Sequence, residues 1–419
     1  MKHLFKISIL LLFISSSNLH AQQSITLEQC YTMAKENHPL SKKTELLTTQ
    51  NKWELQSLDV LKYPRIDLDA QATYQSDVIT LPISLPNITI ESPDKDQYKA
   101  TVTASQLIYN GGLIETQKDL KKVQLASQQK EIDIQLHTLK TQINQLYFSI
   151  LLTEQKLQIL LKNSGQLKDK KVEIAKMIAS GSTYEKALEP IEIKILELSQ
   201  TIVEQNAIKL NLFDQLSLVT GQKITSNTML SVPKQADLNE KPRSEFELFE
   251  LQKNAIDLQS ELQKKQVLPK ISAFGTAGYG IPGLNMLDNS FDDFYLAGVK
   301  LQWNLFDFNA NKKQRLALLS SKDLIDNQQQ IFEWSQKNNA QNFQSEIVKY
   351  NILLKSDRDI IAYREKMVET ASKQLQHDLI STSDYTAEVN KLLEAEINQK
   401  VHEIQLALAQ ANYKITLYE

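Results

Sequence analysis

Residues 136–167 read LHTLKTQINQLYFSILLTEQKLQILLKNSGQL, and they decide the fold class. Their apolar positions recur at steps of three, four or seven residues, the heptad pattern of helices that pack knobs-into-holes. A helix over residues 113–177 would be about 98 Å long at ~1.5 Å per residue. A shorter apolar seam follows over residues 184–219. The pattern therefore predicts a long coiled-coil helical hairpin.

The same pattern occurs a second time, which makes the chain a tandem repeat. Residues 308–419 contain no glycine and no proline, and their apolar spacing predicts a long helix over 310–377 and a return helix over 383–418. When Tyr109 is matched to Phe306, the offset between the copies is 197 residues. We therefore expect two structural repeats joined by a linker, each repeat with a leading helix, a strand pair, a long helix and a return helix. The boundaries are 22–222 for the first repeat, 223–243 for the linker and 244–419 for the second repeat.

Ahead of each long helix, the sequence alternates with the period of a β-strand. Residues 65–75 read RIDLDAQATYQ, with apolar and polar side chains on opposite faces. Such runs predict β-hairpins over 65–109 and 270–306, with strands about as long as the roughly 9–11 residues of a tilted membrane strand. An aromatic girdle is predicted near the strand ends, at Tyr74, Tyr98, Tyr279, Tyr295 and Trp303. A small soluble sheet with one solvated face is the alternative.

Four strands do not close a barrel, and open sheet edges do not face lipid. A water-filled barrel needs more than eight strands. Three chains would supply twelve, so membrane strands predict an oligomer. The expected fold is mainly α with β: long coiled-coil hairpins and four membrane strands per chain, assembled into a trimeric 12-stranded β-barrel continuous with an α-helical barrel.

The N-terminus has the pattern of a secretory signal over residues 1–21. Lys2 and Lys6 precede the apolar run ISILLLF at residues 7–13, and small residues lead to a cleavage site after Ala21. Beyond this segment no apolar run approaches the roughly 18–20 residues of a membrane helix. We therefore predict an exported protein. Cys30, the only cysteine, is expected to be a buried thiol on the first helix.

Composition and motifs disfavour an enzyme. The chain has 47 basic and 50 acidic residues, which provides no general basic surface for nucleic acid. Ten glycines and ten prolines in 419 residues are too few for a doubly wound α/β fold. The motifs HExxH, CxxC, GxSxG and the phosphate-binding loop are absent. The sequence therefore predicts no catalytic residue, no cofactor and no metal site.

Several short segments resemble the TolC family of outer-membrane efflux channels, in the order that the family has them. Residues 25–39, ITLEQCYTMAKENHP, resemble the family's opening helix, and residues 63–66, YPRI, resemble its helix-to-strand junction. Residues 106–112, QLIYNGG, resemble its strand-to-helix exit, of which residues 301–306 are the second copy. The resemblance covers nearly the whole chain after residue 21.

The resemblance implies a homotrimer in outer-membrane lipid that extends into the periplasm. It further implies a passive conduit of a tripartite efflux or type I secretion system, opened at its helix tips by a periplasmic adaptor. An inner-membrane pump of RND or ABC type would supply the energy, so no cofactor is expected. Cargo choice would reside in the pump, which leaves multidrug efflux, metal efflux and protein secretion open.

The resemblance also implies functional residues at the helix tips. Family tips carry a motif similar to GLISxxDVLDA, where this chain has DLISTSDYTA at residues 378–387. Asp384 matches the first family aspartate, Ala387 replaces the second and Asp378 replaces the glycine, so the resemblance favours a single carboxylate ring at Asp384. Asp378 is the second gate candidate because it adds a carboxylate to the same tip. A ring of three Asp384 carboxylates would repel one another and hold cations. The alternative is that Asp384 caps a helix, with Ser381 or Ser383 as N-cap. The residues expected to contact the adaptor are Ser180, Gly181, Ser182, Thr183, Leu379, Ile380 and Ser381.

A function of another class stays open on the sequence. A secreted or surface coiled-coil protein with a structural or adhesive role would also carry heptads. It would lack membrane strands and a pore.

Overall fold

The computed structural model describes residues 24–79, 92–233, 241–286 and 288–419, so the predicted signal segment lies outside the described residues. Within them the first half of the chain contains α1 (Leu27–Asn37), α2 (Pro39–Val60), β1 (Arg65–Tyr74), β2 (Asp96–Tyr109), α3 (Leu113–Ala179) and α4 (Glu189–Thr220). The second half contains α5 (Ser244–Gln266), β3 (Lys270–Ile281), β4 (Asp292–Gln302), α6 (Ala310–Gln376) and α7 (Thr382–Leu417).

The two long helices, α3 and α6, have 67 residues each. The first return helix begins later than residue 184, because residues Glu185–Leu188 form a 3-10 turn before α4. Pro190 lies in the first turn of α4, the one part of a helix where the missing N–H of proline costs nothing. None of the helices in the described part of the chain combines the length and the apolarity needed to cross a membrane.

The chain divides into two compact units, and each unit takes segments from both halves of the sequence. The first unit comprises the described residues of Met1–His38, Leu139–Leu238 and Asn342–Lys414. The second comprises those of Pro39–Thr138, Asn239–Gln341 and Ile415–Glu419. The compact units are therefore not the two sequence repeats. A heptad seam shows which residues face a partner helix, but it does not show where along a long helix the packing is densest.

The first unit has two apolar clusters along its helices. One surrounds Cys30, which is fully buried on α1, and includes Tyr147 and Phe213. The hydroxyl of Tyr147 lies 2.8 Å from the carbonyl oxygen of Ile25 and 2.6 Å from that of Ser231. The other cluster joins α3, α4, α6 and α7 through seam residues, which are Leu160, Leu167, Ile174, Ile191, Leu198, Ala371, Leu375, Tyr385, Val389 and Leu393.

The second unit contains a four-stranded antiparallel sheet in the order β1-β2-β3-β4. Directly paired residues share a face. Leu68, Val102, Ala277 and Tyr295 form one such row, and Asp69, Thr101, Gly278 and Phe294 form the next row on the opposite face. On the polar face the hydroxyls of Thr103 and Thr276 are 3.0 Å apart. The predicted alternation therefore produces one apolar face and one mainly polar face.

The two strand-to-helix turns have the same geometry at the 197-residue offset. Gly111 and Gly112 have φ of 68° and 75°, and Phe308 and Asn309 have φ of 51° and 64°. In the first turn the N–H of Gly112 donates to Asn110 Oδ1 over 3.1 Å. In the second the N–H of Asn309 donates to Asp307 Oδ1 over 3.0 Å. In the second copy, Phe308 and Asn309 thus adopt the left-handed backbone that Gly111 and Gly112 have in the first.

Candidate functional site

Both long helices end in the same reversal at the tips of the hairpins. After α3, Gly181 has φ of 75°, its N–H donates to Ile178 O over 3.0 Å, and the N–H of Ser182 donates to Met177 O over 2.8 Å. After α6, Asp378 has φ of 54°. Its N–H donates to Leu375 O over 3.1 Å, and the N–H of Leu379 donates to Gln374 O over 2.9 Å. Each turn satisfies two terminal carbonyls through a left-handed residue, which is a Schellman motif.

Asp384 caps the start of α7 together with Ser381. The N–H and the hydroxyl of Ser381 donate to Asp384 Oδ2 over 3.1 and 2.7 Å, and the N–H of Asp384 donates to Ser381 Oγ over 3.1 Å. This reciprocal pair is a capping box, and Ser381 rather than Ser383 is the N-cap. The side chain and the N–H of Ser381 stabilise the ionised carboxylate, so they hold the pKa of Asp384 below its ordinary value of 3.8. Asp384 is exposed and stays charged at neutral pH.

The two tips lie side by side within the first unit. Thr183 Oγ1 is 3.5 Å from Asp378 Oδ1, the outer limit of a hydrogen bond. One turn further up, Gln376 Nε2 donates to Glu173 Oε1 over 2.8 Å. The structure thus brings Asp378 to the first tip, whereas Asp384 is engaged with its own helix start.

The predicted adaptor-contact residues differ in how much surface they present. Ser180, Gly181 and Ser182 are exposed, and Leu379 is 71% exposed. Ile380 instead packs against the apolar cluster of the first unit. Leu379 is therefore the apolar side chain that this tip offers to a partner.

A groove of about 780 Å³ opens beside Asp384, between α6 and α7 of the first unit. Apolar and charged side chains both line it, including Tyr363, Met367, Ile380, Glu388 and Lys391. Arg364 Nη1 lies 3.5 Å from Glu388 Oε2 near its wall. Sequence reasoning missed the groove. Tyr363, Met367 and Thr370 recur at helical steps, but this signal does not separate a groove wall from a packed seam.

The predicted girdle tyrosines all lie on the apolar face of the sheet, towards the ends of the strands that carry the hairpin loops. Phe291 stacks on Tyr98 and Tyr279 with ring centroids 6.4 and 5.4 Å apart. Trp303 lies at the other end of the sheet, directly after β4, where its Nε1 donates to Val267 O over 3.1 Å. The aromatic residues therefore mark both ends of the strands.

The apolar face is the exposed face. Leu68, Val299 and Tyr295 are 75%, 69% and 83% exposed. Along β2 the apolar-face residues are exposed and the polar-face residues from Gln97 to Leu107 are half-buried. A soluble sheet with one solvated face would have the opposite distribution, because burial of apolar surface drives folding in water.

Comparisons with known proteins identify the fold. No known family profile matches the sequence, and no curated protein is similar enough to be matched. Among solved structures, the outer membrane protein VceC of Vibrio cholerae is similar with a TM-score of 0.67 and 12% identity, over 94% of this chain and 96% of that one. The CmeC outer membrane channel of Campylobacter jejuni has a TM-score of 0.65 and 14% identity, over 93% and 85%. The open-state MtrE outer membrane channel of Neisseria gonorrhoeae has a TM-score of 0.65 and 12% identity, over 93% and 88%.

The chain therefore has the fold of the TolC-like outer-membrane channels. The expected class, long helical hairpins with a four-stranded antiparallel sheet, is confirmed.

Proposed function

We propose that this chain is one subunit of a passive trimeric channel in the bacterial outer membrane. The observation that carries the proposal is the uncovered apolar face of the four-stranded sheet, opposite a mainly polar face. A lipid-facing exterior and a water-facing interior require this distribution. The fold of the solved outer-membrane channels supports the same reading.

The sheet edges support an assembly of several chains. β1 and β4 are edge strands of the described sheet, and unpaired backbone groups are not tolerated in lipid. Three copies joined edge to edge, β4 of one chain to β1 of the next, would supply twelve strands and remove every edge.

The helices of the first unit carry apolar faces that nothing in the described chain covers. On α4, Ile193, Leu196 and Val203 are exposed at steps of three and seven residues. On α6, Ile352 and Tyr363 are also exposed, and their spacing of eleven residues, about three helical turns, places them on one side of the helix. Seams of this spacing pack against a partner helix, and neighbouring copies in a trimer would provide one.

In this proposal the helix tips form the entrance that an adaptor opens. Asp384 and Asp378 are the proposed gate carboxylates, and the exposed tip residues described above are the proposed contacts. The energy would come from an inner-membrane pump of an efflux or type I secretion system, to which the channel is the exit from the periplasm. A secreted coiled-coil protein without a pore is the competing function, and the exposed apolar sheet face disfavours it.

The test uses two neighbouring residues of β2 that lie on opposite faces. Val102→Arg places a charge on the proposed lipid face, where near the bilayer midplane it costs about 2–4 kcal/mol. Thr101→Arg places the same charge on the proposed lumen face and is the matched control. We expect the wild-type chain to purify from outer-membrane fractions as a heat-modifiable trimer that conducts in a planar bilayer. Val102→Arg is expected to lose membrane insertion, and Thr101→Arg is expected to insert and conduct.

A soluble or fibrous wild-type protein without conductance would contradict the channel proposal. Equal insertion of the two arginine variants would contradict the assignment of the faces.

A further inference from the structure

At the first strand-to-helix junction, the charged side chains pair with one another. Four charged residues meet there, where α2 ends and α3 begins. Lys118 Nζ lies 2.8 Å from Asp59 Oδ1, Lys62 Nζ lies 3.5 Å from the same oxygen, and Lys62 also contacts the carboxylate of Glu115. Two lysines thus pair with two carboxylates, so these four side chains together carry no net charge.

The second junction occupies the equivalent position with a different charge. The offset is 205 residues ahead of the hairpin and 197 after it, so the counterparts of Asp59, Lys62, Glu115 and Lys118 are Lys264, Val267, Lys312 and Arg315. Three cations therefore replace two acids and two lysines. In the described part of the chain, none of the three cations forms an ion pair, and Arg315 Nε is buried without a hydrogen-bond partner.

Asp307, the acidic residue nearest in sequence to Lys312, accepts hydrogen bonds from the backbone. Asp307 accepts from the N–H of Asn309 over 3.0 Å and from the N–H of Asn311 over 2.9 Å, so it caps the start of α6. Lys312 and Lys313 follow in the first turn of α6, which contains no acidic residue. Cations at a helix N-terminus are disfavoured by the helix dipole. Asp307 keeps its negative charge, but the cations of this junction outnumber it, so the net charge of these side chains is positive.

These cations and three aromatic side chains lie on the chain segments that meet at the second junction. The side-chain amide of Asn311 donates to the carbonyl oxygen of Gln263, so the end of α5, which carries Lys264, lies against the start of α6, which carries Lys312. Trp303 Nε1 donates to Val267 O over 3.1 Å, which holds the indole at the end of α5. Phe306 and Phe308 contact edge to face with centroids 4.5 Å apart, and both rings are exposed.

Phe308 is held in a conformation that bulky residues avoid. Its φ is 51°, its side chain is 80% exposed, and the equivalent residue of the first junction is Gly111. Positive φ at a bulky residue is a genuine outlier, and strained residues of this kind cluster at functional sites. No packing inside the described chain explains this ring, because it faces outward with Phe306.

We propose that the second junction binds the phosphate headgroup of an anionic phospholipid, in the leaflet that meets the helices. The binding surface consists of Lys264, Trp303, Phe308, Lys312 and Arg315, called the junction patch below. Exposed aromatic rings favour the level of the lipid headgroups. Lysine and arginine attract anionic lipid, and the arginine guanidinium matches phosphate geometry. This inference rests on the proposed membrane location.

The experiment compares the lipid that the whole protein retains. Wild type is reconstituted in nanodiscs of phosphatidylcholine with a minor fraction of phosphatidylglycerol and re-extracted in detergent, and retained lipid is quantified by mass spectrometry. We expect phosphatidylglycerol to be enriched over the bulk roughly fivefold for each effective cation contact. In the variant with Lys264→Gln, Lys312→Gln and Arg315→Gln, the retained ratio is expected to fall to that of the bulk.

The matched control removes the same charge elsewhere. It carries Lys168→Gln, Lys355→Gln and Arg358→Gln, all at exposed helix positions of the first unit, and is expected to retain the enrichment. If the junction triple variant does not fold, Lys312→Glu serves instead, since it installs the charge that Glu115 has in the first junction. This single variant is also expected to lose the enrichment.

Two results would overturn the inference: no enrichment in wild type, or an equal loss in the control. Planar-bilayer conductance is measured on the same preparations. Wild-type trimers that conduct without retaining phosphatidylglycerol would refute the junction patch alone, whereas absence of trimers and of conductance would refute the proposed channel.

Discussion

At the tip of the first hairpin a glycine makes the chain reversal, and at the tip of the second an aspartate makes it. Gly181 and Asp378 have the same left-handed backbone and the same pair of hydrogen bonds, 197 residues apart. The helices that follow differ more. α7 starts at once from the Ser381–Asp384 capping box, whereas α4 starts only after a 3-10 turn, with Ala187 at the position equivalent to Asp384. The backbone turn is thus the same at both tips, whereas the carboxylate of a capping box is present only at the second.

The largest expected effect comes from placing the second tip's carboxylate in the first tip. Ala187 is 5% exposed and belongs to the apolar cluster of the first unit. Ala187→Asp is expected to lower the free energy of unfolding by about 3 kcal/mol or more, because the carboxylate is buried without a partner. Circular dichroism during thermal unfolding in detergent measures this, with Ala187→Ser as control. Equal melting temperatures for the two variants would show that the first tip opens readily to water.

A second pair of variants compares the strand-to-helix turns. A Cβ at Gly111 would lie 2.7 Å from Leu268 Cδ1 at a φ of 68°, so Gly111→Ala is expected to cost about 1–3 kcal/mol. Phe308→Gly relieves the left-handed strain and is expected to stabilise the detergent-solubilised protein by about 1 kcal/mol. Both values come from melting temperatures. A loss of stability in Phe308→Gly would mean that the ring packs within the protein itself.

A third pair separates the proposed gate role of Asp384 from its capping role. Asp384→Asn removes the charge, and the amide oxygen still accepts from Ser381. Ser381→Ala removes the cap and keeps the charge, at a cost of about 1 kcal/mol of helix stability. We expect Asp384→Asn to raise single-channel conductance and to weaken cation block, and Ser381→Ala to leave the block in place. A block that survives in Asp384→Asn would leave the carboxylate a capping role alone.

The smallest effect concerns pH. Because Ser381 lowers the pKa of Asp384 below 3.8, the stabilising cap is fully present above the unfolded pKa and is lost as the pH falls through the lower folded value. Cation block through Asp384 is therefore expected to persist across neutral and mildly acidic pH and to disappear below about pH 3.8. Conductance titrations of wild type and Asp384→Asn measure this. A midpoint well above 3.8 would indicate that repulsion between the three Asp384 carboxylates of the proposed trimer outweighs the cap.

Most of the secondary structure was predictable because each long helix and each strand has a periodic pattern of apolar residues within its own sequence. The heptad spacing located α3 and α6 to within two residues at their ends, and strict alternation located the strands and their faces. The left-handed conformation of Asp378 was predictable only from its match to Gly181 in the first repeat. Glycine adopts positive φ without steric cost, so it indicates a turn, whereas aspartate does not.

Other features depend on packing that one sequence does not encode locally. The division into two compact units cuts through α3 and α6, and the groove beside Asp384 forms from residues of two helices. The charge difference between the junctions, in contrast, is visible in the aligned repeats. It becomes informative only when the structure shows that Lys62 and Lys118 form ion pairs, whereas Lys312 and Arg315 form none among the described residues.

The buried cysteine on α1 has a practical consequence for all of these tests. Cys30 is fully buried, and burial together with the nearby Glu28 raises its pKa to about 12. Since maleimides react with the thiolate, this residue stays silent at neutral pH in the folded protein. A cysteine introduced at exposed Ser182 or Leu379 can therefore carry a spectroscopic label in the otherwise unaltered chain. The proposed opening of the tips can then be measured as a change in the distance between labels.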